Sequence, residues 1–377
     1  MNNSNISSKD QKYSISEATP EIDQEWCDFI SERSDATIYH HPAWLMVLQN
    51  ETKQPVLRLV CRDENARLVG VYPLQYTLGV PLGLGGILAA KRLSSLPRTP
   101  IGGPIAVNNV VEAMLVKKAI EISGKNGGGR LIQIKSYDHT LHETIPGLSR
   151  FFWREVYITK IPRAPKEIRF GNSKNHTAIK WAVNKALRHG IKVRYSHSDS
   201  DLIKWYDLYA DTMRFHAVPA RSINFFRGVW KYLMPLGLAQ LILAEAGKED
   251  ETEIIAGNIL FRYNKTIVDA FNGSKRETFE LRPNDLLHWA AIHDAQTAGF
   301  EYYDLGEVAD DHEGLSSYKK KWASETRSLY HFYYPEPDMP DKKSIGKRNG
   351  IGMKRKLWNL LPIKITTMIG ERINEYL

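Results

Sequence analysis

The order of apolar and polar positions repeats between the two halves of the chain. In the first half, VLRLVCRDENARLVGVYPLQYT sets two β-rich runs around a charged turn, the pattern of a hairpin. The periodic stretch VVEAMLVKKAIEISGKN then predicts a helix stopped by glycines at 127–129, and the strand RLIQIKS leaves from them. In the second half, LAQLILAEAGKEDETEIIAGNILFRYN gives strand, charged turn and strand again. TIVDAFNGS adds a strand, NDLLHWAAIHDAQTAG a helix stopped by Gly299, and FEYYDLGE a strand leaving that glycine. Self-similarity of this kind signals duplicated units. The second half differs in opening with three helical stretches, NHTAIKWAVNKALRHG, DLIKWYDLYADTMRFH and INFFRGVWKYLM. Ahead of the first hairpin, HPAWLMVL predicts a helix with Pro42 in its tolerant first turn.

The stretch EGLSSYKKKWAS at 313–324 holds three consecutive lysines between a tyrosine and a tryptophan. At helical spacing Leu315, Tyr318 and Trp322 share one apolar stripe. Lys320 then points away from it and Lys321 lies well off it, so both are expected in solvent or steering anions. Lys319 borders the stripe and is the lysine expected to lean inward, either at a reaction centre or paired with an acid such as Glu313.

At 377 residues, 42% hydrophobic and 25% charged, the chain can bury two ordinary cores. A net charge of +8 and a pI near 9.2 favour anionic partners. Two cysteines, Cys27 and Cys61, form neither a disulfide framework nor a zinc cluster, which suits a reducing compartment. The polar first 17 residues are expected to be disordered and are not a secretory signal, and no apolar run reaches membrane-spanning length. A cytoplasmic protein is expected, at most peripheral on the inner face of a membrane. The tail from about 341 carries a basic cluster followed by Trp358, Leu360, Leu361, Ile363 and Ile365, with Pro362 breaking it into two short amphipathic segments. Such a segment either lies on an anionic membrane surface or docks on its own domain. No basic patch interleaved with aromatics forms a known motif, so specific DNA binding is not expected.

No Ser/His/Asp or Cys/His pattern is visible, which favours direct attack over a covalent intermediate. Asp304 and Glu307 end a predicted strand, where either can relay a proton; Asp304 equally suits capping the next turn. Arg214 and His216 end a predicted helix, a position that favours cations for structural reasons and also suits gripping a phosphate or carboxylate. Asn272 and Asn284 fit turn or cap roles, and Asn284 can present a helix start to an anion.

Four stretches, YHHPAWL, TMRFHAVP at 212–219, RPNDLLHWAAIHDAQTAGFEYYDLGE at 282–307 and GLSSYKKKW at 314–322, together resemble the FemAB-like branch of the GNAT acyltransferase superfamily. Arg214, His216 and Pro219 match its second stretch, Pro283 and Asn284 its helix opening, Asp304 and Gly306 its acidic strand end, and Tyr318-Lys319 its aromatic-lysine pair. The resemblance implies an α/β (α+β) fold of two tandem GNAT-like domains, each a mixed central sheet flanked by helices, plus a short helical C-terminal tail. The boundaries expected are a disordered 1–17, an N-terminal domain over 18–160, a catalytic C-terminal domain over 161–336 and a basic amphipathic tail over 337–377. It also implies an N-acyltransferase of cell-envelope saccharide or peptidoglycan-type precursors, with Lys319 and Asp304 catalytic and Arg214, His216, Asn272, Asn284, Glu307 and Tyr318 binding substrate. No tightly bound cofactor or metal is expected; the donor is acyl-CoA or aminoacyl-tRNA. The alternatives are an aminoacyl-tRNA-dependent peptidyltransferase of the Fem type and a non-catalytic basic scaffold at the membrane. One departure stands out: where GNAT enzymes open a helix with a glycine-rich phosphate loop, this chain reads ETFELRPNDLL, without glycine.

Overall fold

A computed structural model describes residues 12–77, 91–125, 131–138, 140–248, 251–309, 312–336, 358 and 360–374. In chain order the elements are β1 (Tyr13–Glu17), α1 (Asp23–Ser31), α2 (Pro42–Thr52), β2 (Val56–Asp63), β3 (Leu68–Thr77), β4 (Arg92–Ser94), β5 (Ile105–Ala106), α3 (Asn109–Lys125), β6 (Ile132–Ser136), α4 (Leu141–Thr144) and β7 (Ser149–Lys160). They continue with α5 (Ser173–Arg188), β8 (Lys192–Ser196), α6 (Asp199–Phe215), α7 (Ile223–Tyr232), β9 (Ala239–Lys248), β10 (Glu251–Tyr263), β11 (Thr266–Ser274), α8 (Pro283–Thr297), β12 (Tyr302–Val308), α9 (Glu313–Trp322), β13 (Glu325–Tyr334) and α10 (Ile363–Asn374). The chain divides into two compact units, one reaching to Trp153 and taking back Leu329 onward at the end of β13, the other holding Arg154–Ser328 and α10.

In the first unit the strands lie in the order β1-β2-β3-β4-β6-β13, antiparallel except for β4 beside β6. The predicted hairpin is β2–β3, and α3 packs on it through buried Val111, Leu115, Val116 and Ala119. Residues 13–17 correct the expectation of disorder: they pair with Leu59–Asp63 as an edge strand, the alternation of Tyr13 and Ile15 giving one face to the core. Of the glycine run after α3, residues 126–129 lie outside the described residues, as do the basic cluster of the tail and the first 11 residues.

In the second unit the order is β7-β12-β11-β10-β9-β8, with β11 and β12 the parallel pair. Successive side chains of a strand point to opposite faces, and both faces are covered. Ile242, Ala244 and Leu260 join a core with α5, α8 and α9, built on Ile179, Val183, Leu287, Ala291 and Trp322. On the other face α6 lies flush with the sheet: the Trp205 indole Nε1 donates to the Gly257 carbonyl at 2.8 Å. A Cβ on Gly273 would stand 2.6 Å from the Tyr209 backbone nitrogen, so only glycine lets helix and strand approach this closely. The tail helix α10 begins just after Pro362, the predicted break, and Gly370 rests against Ala220 while Leu360, Ile365 and Met368 stay exposed. Among the described residues no helix is long and apolar enough to cross a membrane.

Gly273→Ala should lower unfolding stability by about 1–3 kcal/mol, the usual cost of forcing an extra carbon into a packed core. Urea unfolding followed by tryptophan fluorescence checks this; an unchanged midpoint would mean that α6 does not depend on the close approach.

Candidate active site

The parallel strands β11 and β12 pair over only three positions, Thr266, Ile267 and Val268 against Tyr302, Tyr303 and Asp304. Just beyond, the register of β12 against β7 shifts between Asp304 and Glu307, a bulge centred on Gly306 at φ +79°. That angle suits glycine, and the Gly306 N–H donates to the Asp304 carboxylate at 2.7 Å. A Cβ at Gly306 would lie in ordinary contact 3.5 Å from the Lys319 ammonium, so it is the positive φ rather than space that calls for glycine. Lys319 reaches from α9 and donates to the Glu307 carbonyl at 3.2 Å. Asp269 of β11 and Asp304 of β12 both act on it electrostatically.

Burial pushes the Asp269 carboxyl up to about 7, against the opposing pull of Lys319 and of an Asn258 hydrogen bond. It pushes Asp304 up to about 6, against the Gly306 N–H and Lys319. Burial lowers the Lys319 ammonium from its ordinary value, while Asp269, Asp304 and Glu307 hold it up. The cluster therefore offers a cation beside two carboxylates that change protonation near neutrality. A proton acceptor poised there, next to a positive charge, is what amine acylation requires.

A polar chain supports Asp269 from behind. Asn258 Nδ2 donates to its carboxylate at 2.8 Å, and Asn272 Nδ2 donates to Asn258 Oδ1 at 2.8 Å. The single Ser274 hydroxyl proton is shared between Asn284 Oδ1 at 2.8 Å and Asn272 Oδ1 at 3.2 Å. Thr212 of α6 closes the chain, accepting from the Ser274 N–H at 3.1 Å. On the other side of Asp269, His288 stands 3.7 Å away and shares a 3.2 Å hydrogen bond with the Tyr303 hydroxyl. Burial, reinforced by Lys319 and Lys321, pushes the imidazole down to about 3, so it is neutral at physiological pH.

Residues 173–320 match the family described as an acetyltransferase (GNAT) domain. The match lies within the second unit. A search of curated proteins returned no match. Among solved structures, FemX superposes at a TM-score of 0.66 with 16% identity, covering 85% of this chain and 97% of its own. The structure of L-PGS from Bacillus licheniformis gives a TM-score of 0.56 at 15% identity, covering 88% and 97%. The C-terminal domain of a putative lysylphosphatidylglycerol synthetase from Agrobacterium fabrum gives 0.54 at 13%, covering 84% and 92%. The family match agrees with the GNAT superfamily read from the sequence, and the superpositions on FemX and L-PGS agree with the mixed α/β fold expected of it.

Within the GNAT domain Lys319, Asp304, Glu307, Tyr318, Asn272 and Asn284 come together around the bulge and its polar chain. Glu307 also binds Arg154 through Oε1 at 2.6 Å, and the half-buried Tyr318 ring lies 5.8 Å from His288. Arg214 does not join them: it pairs with Asp211 at 2.7 Å and reaches the Leu361 carbonyl, bracing the tail. His216 caps α6, its ring 6.0 Å from that of His312 before α9. Two expectations for α9 are corrected. Lys321 is not left to solvent but pairs with buried Asp285 at 2.9 Å and lies over the Tyr318 ring, because the start of α8 comes within reach of its long side chain. Leu315 is 44% exposed, since the first turn of α9 stands clear of the core.

Asp269, Asn258, His288 and Asp285 were missed from sequence. A faint signal existed for the first two, each a polar residue interrupting an apolar strand, in TIVDAF and IIAGNILF. The start of α8 also bears on the donor. Where a diphosphate would meet the helix N-terminus in a glycine-opened loop, Asp285, 2% exposed, places its own carboxylate in the first turn and pairs with Lys321. A donor diphosphate does not fit at that position.

Because the native Asp269 carboxyl is raised from 3.8 to about 7, the folded state holds its proton more tightly than the unfolded chain does. The group imposes no penalty below its ordinary range and a growing one as pH rises towards 7. The stability of the wild type relative to Asp269→Asn should therefore fall as pH climbs from about 4 to about 7, then level. Thermal melting across that range checks it; a pH-independent difference would contradict the assigned protonation.

Proposed function

We propose that the protein is an N-acyltransferase that moves an acyl or aminoacyl group from an activated thioester or ester donor to an amino group of a cell-envelope saccharide or peptidoglycan-type precursor. The observation that carries this reading is the Lys319 ammonium set between Asp269 and Asp304 where β11 and β12 stop pairing, inside a GNAT domain. Asp304 takes the proton from the acceptor ammonium, with Asp269 sharing the charge across Lys319. The free amine attacks the acyl carbonyl, a C–N bond forms, and the tetrahedral oxyanion develops against the lysine. Collapse breaks the C–S or C–O bond, the proton held by the carboxylate passes to the leaving group, and the freed carboxylate takes the second proton from the nitrogen to leave the neutral amide. Glu307, Tyr318, Asn272 and Asn284 shape the site.

The donor is acyl-CoA or aminoacyl-tRNA, and the net charge of +8 suits either. The named likenesses to FemX and to a lysylphosphatidylglycerol synthetase domain support an envelope acceptor handled at the inner face of a membrane. Exposed Leu360, Ile365 and Met368, following the basic tail sequence, support peripheral contact of residues 341–377 with an anionic lipid surface.

Lys319→Ala should cut turnover by about 10²–10³ while leaving the fold intact, as the loss of one oxyanion donor does elsewhere. Transfer of labelled acyl groups from acyl-CoA and from aminoacyl-tRNA to amino-sugar and peptide acceptors measures this. The wild-type rate should fall with decreasing pH through about 6–7, following Asp304 and Asp269, and Asp304→Asn should remove most of the activity on the plateau. Full turnover by the Lys319 variant would end the reading.

A further inference from the structure

Helix α5 carries a surface that the acyl-transfer cluster does not use. From Ser173 to Arg188 it contains Lys174, Lys180, Lys185 and Arg188 and no carboxylate. Trp181 sits in the middle of its outer face and is 52% exposed, which is unusual for so large an apolar side chain. Lys174 precedes it by seven residues and Lys185 and Arg188 follow by four and seven, so they line the same face. Two cations converge on the indole: the Lys185 ammonium at 5.5 Å from the ring centroid and the Arg282 guanidinium at 5.9 Å. Arg282 comes from another part of the chain, in the left-handed conformation at φ +65° just before α8.

Two like charges held over one ring repel each other unless an anion lies between them. Among the described residues neither cation lies in an ion pair, and α5 supplies no acid to separate them. An exposed indole with two cations over it is the chemistry that recognises a nucleotide: the base takes a ring face from one of the flexible cations, and the displaced charges meet the phosphates. The patch is also tied to the reaction centre. Arg282 stands two residues before Asn284, which joins the polar chain behind Asp269, and three before Asp285, which pairs with Lys321 of α9. The helix start itself is occupied by the Asp285 carboxylate, so a donor's phosphates need cations outside it.

We infer that Trp181, Lys185 and Arg282 form a nucleotide-binding patch that seats the adenosine-phosphate end of the acyl donor by base stacking and side-chain charge. This rests on the acyl-transfer reading only for calling the ligand a donor; the patch itself stands on its own geometry. The shared chemistry, a terminal adenosine with phosphate, occurs in CoA and at the 3′ end of tRNA.

The test titrates the full chain with CoA, adenosine 3′,5′-bisphosphate, pantetheine and a short RNA ending in CCA, at two salt concentrations. Binding of CoA with the bisphosphate, or of the RNA, should be saturable and weaken with salt. Trp181→Ala should loosen it about tenfold, Trp181→Phe less, and Arg282→Ala should loosen it and flatten the salt dependence. Pantetheine alone should bind poorly. Binding of CoA but not RNA identifies a thioester donor, and the reverse an RNA-borne one; both uphold the patch. Absence of binding by all the nucleotides, or binding indifferent to both Trp181→Ala and Arg282→Ala, overturns it. Lys319→Ala separates the two readings, since it should abolish transfer and leave nucleotide binding unchanged. Transfer that proceeds normally in Trp181→Ala would sink the patch alone.

Discussion

The site depends on keeping an ammonium charged where water is scarce. Removing Lys319 from solvent weakens its charge, and the chain offsets this with carboxylates from two adjacent strands and a backbone carbonyl. Such an arrangement requires strands that run side by side and then stop pairing, so that both acids face the same gap. Parallel β11 and β12 meet that requirement, and the bulge at Gly306 turns the end of β12 so that Asp304 and the Glu307 carbonyl reach one lysine. Much of the second unit serves this placement. The core under α9 fixes Trp322, which anchors the helix three residues after the lysine, and the Lys321–Asp285 pair ties the same helix to α8.

The opposite face of the sheet contributes differently. α6 lies against β10 and β11 at glycine distance, and its Thr212 reaches the Ser274 backbone. A shift of that helix is therefore felt at Asn272 and Asn258, and through them at Asp269. Buried polar networks of this kind are rigid when every member is satisfied and costly when one is lost. The residues that orient the reacting acids are for this reason spread over α6, β10, β11 and α8 rather than gathered in one motif.

That spread explains what the sequence disclosed. The repeated hairpin, helix and strand were legible because apolar periodicity and glycine stops act locally, and Lys319 could be picked out because its neighbours Tyr318 and Trp322 define a face. Asp304, Glu307, Asn272 and Asn284 were legible as strand-end and helix-start residues. Asp269 gains its meaning only when β12 is laid beside β11 from across the α8 crossover, and Asn258 only through Asp269 on the neighbouring strand, which no single-strand pattern reveals. Lys321 was misread because helical angle alone cannot say that Asp285 approaches from another helix. Arg214 looked like a ligand for an anion because the tail that occupies it follows some 150 residues later, as its contact with Leu361 shows.

The polar chain behind Asp269 has a direction that chemistry imposes. A carboxylate only accepts, so Asn258 must turn its amide nitrogen to Asp269; its oxygen then faces Asn272, which must donate in turn, and Ser274 completes the sequence. The two amide bonds nearest the acid both point towards it, and primary amides neither release nor take up protons in the physiological range. The chain is thus an insulator: it fixes the orientation of Asp269 but offers its proton no exit towards the protein interior. The polar chain closes that side, which leaves the gap where Lys319 and Asp304 lie and the face towards His288, 3.7 Å away. With that gap filled by substrate, the cluster would be cut off from bulk water and would hold its proton count until the product leaves.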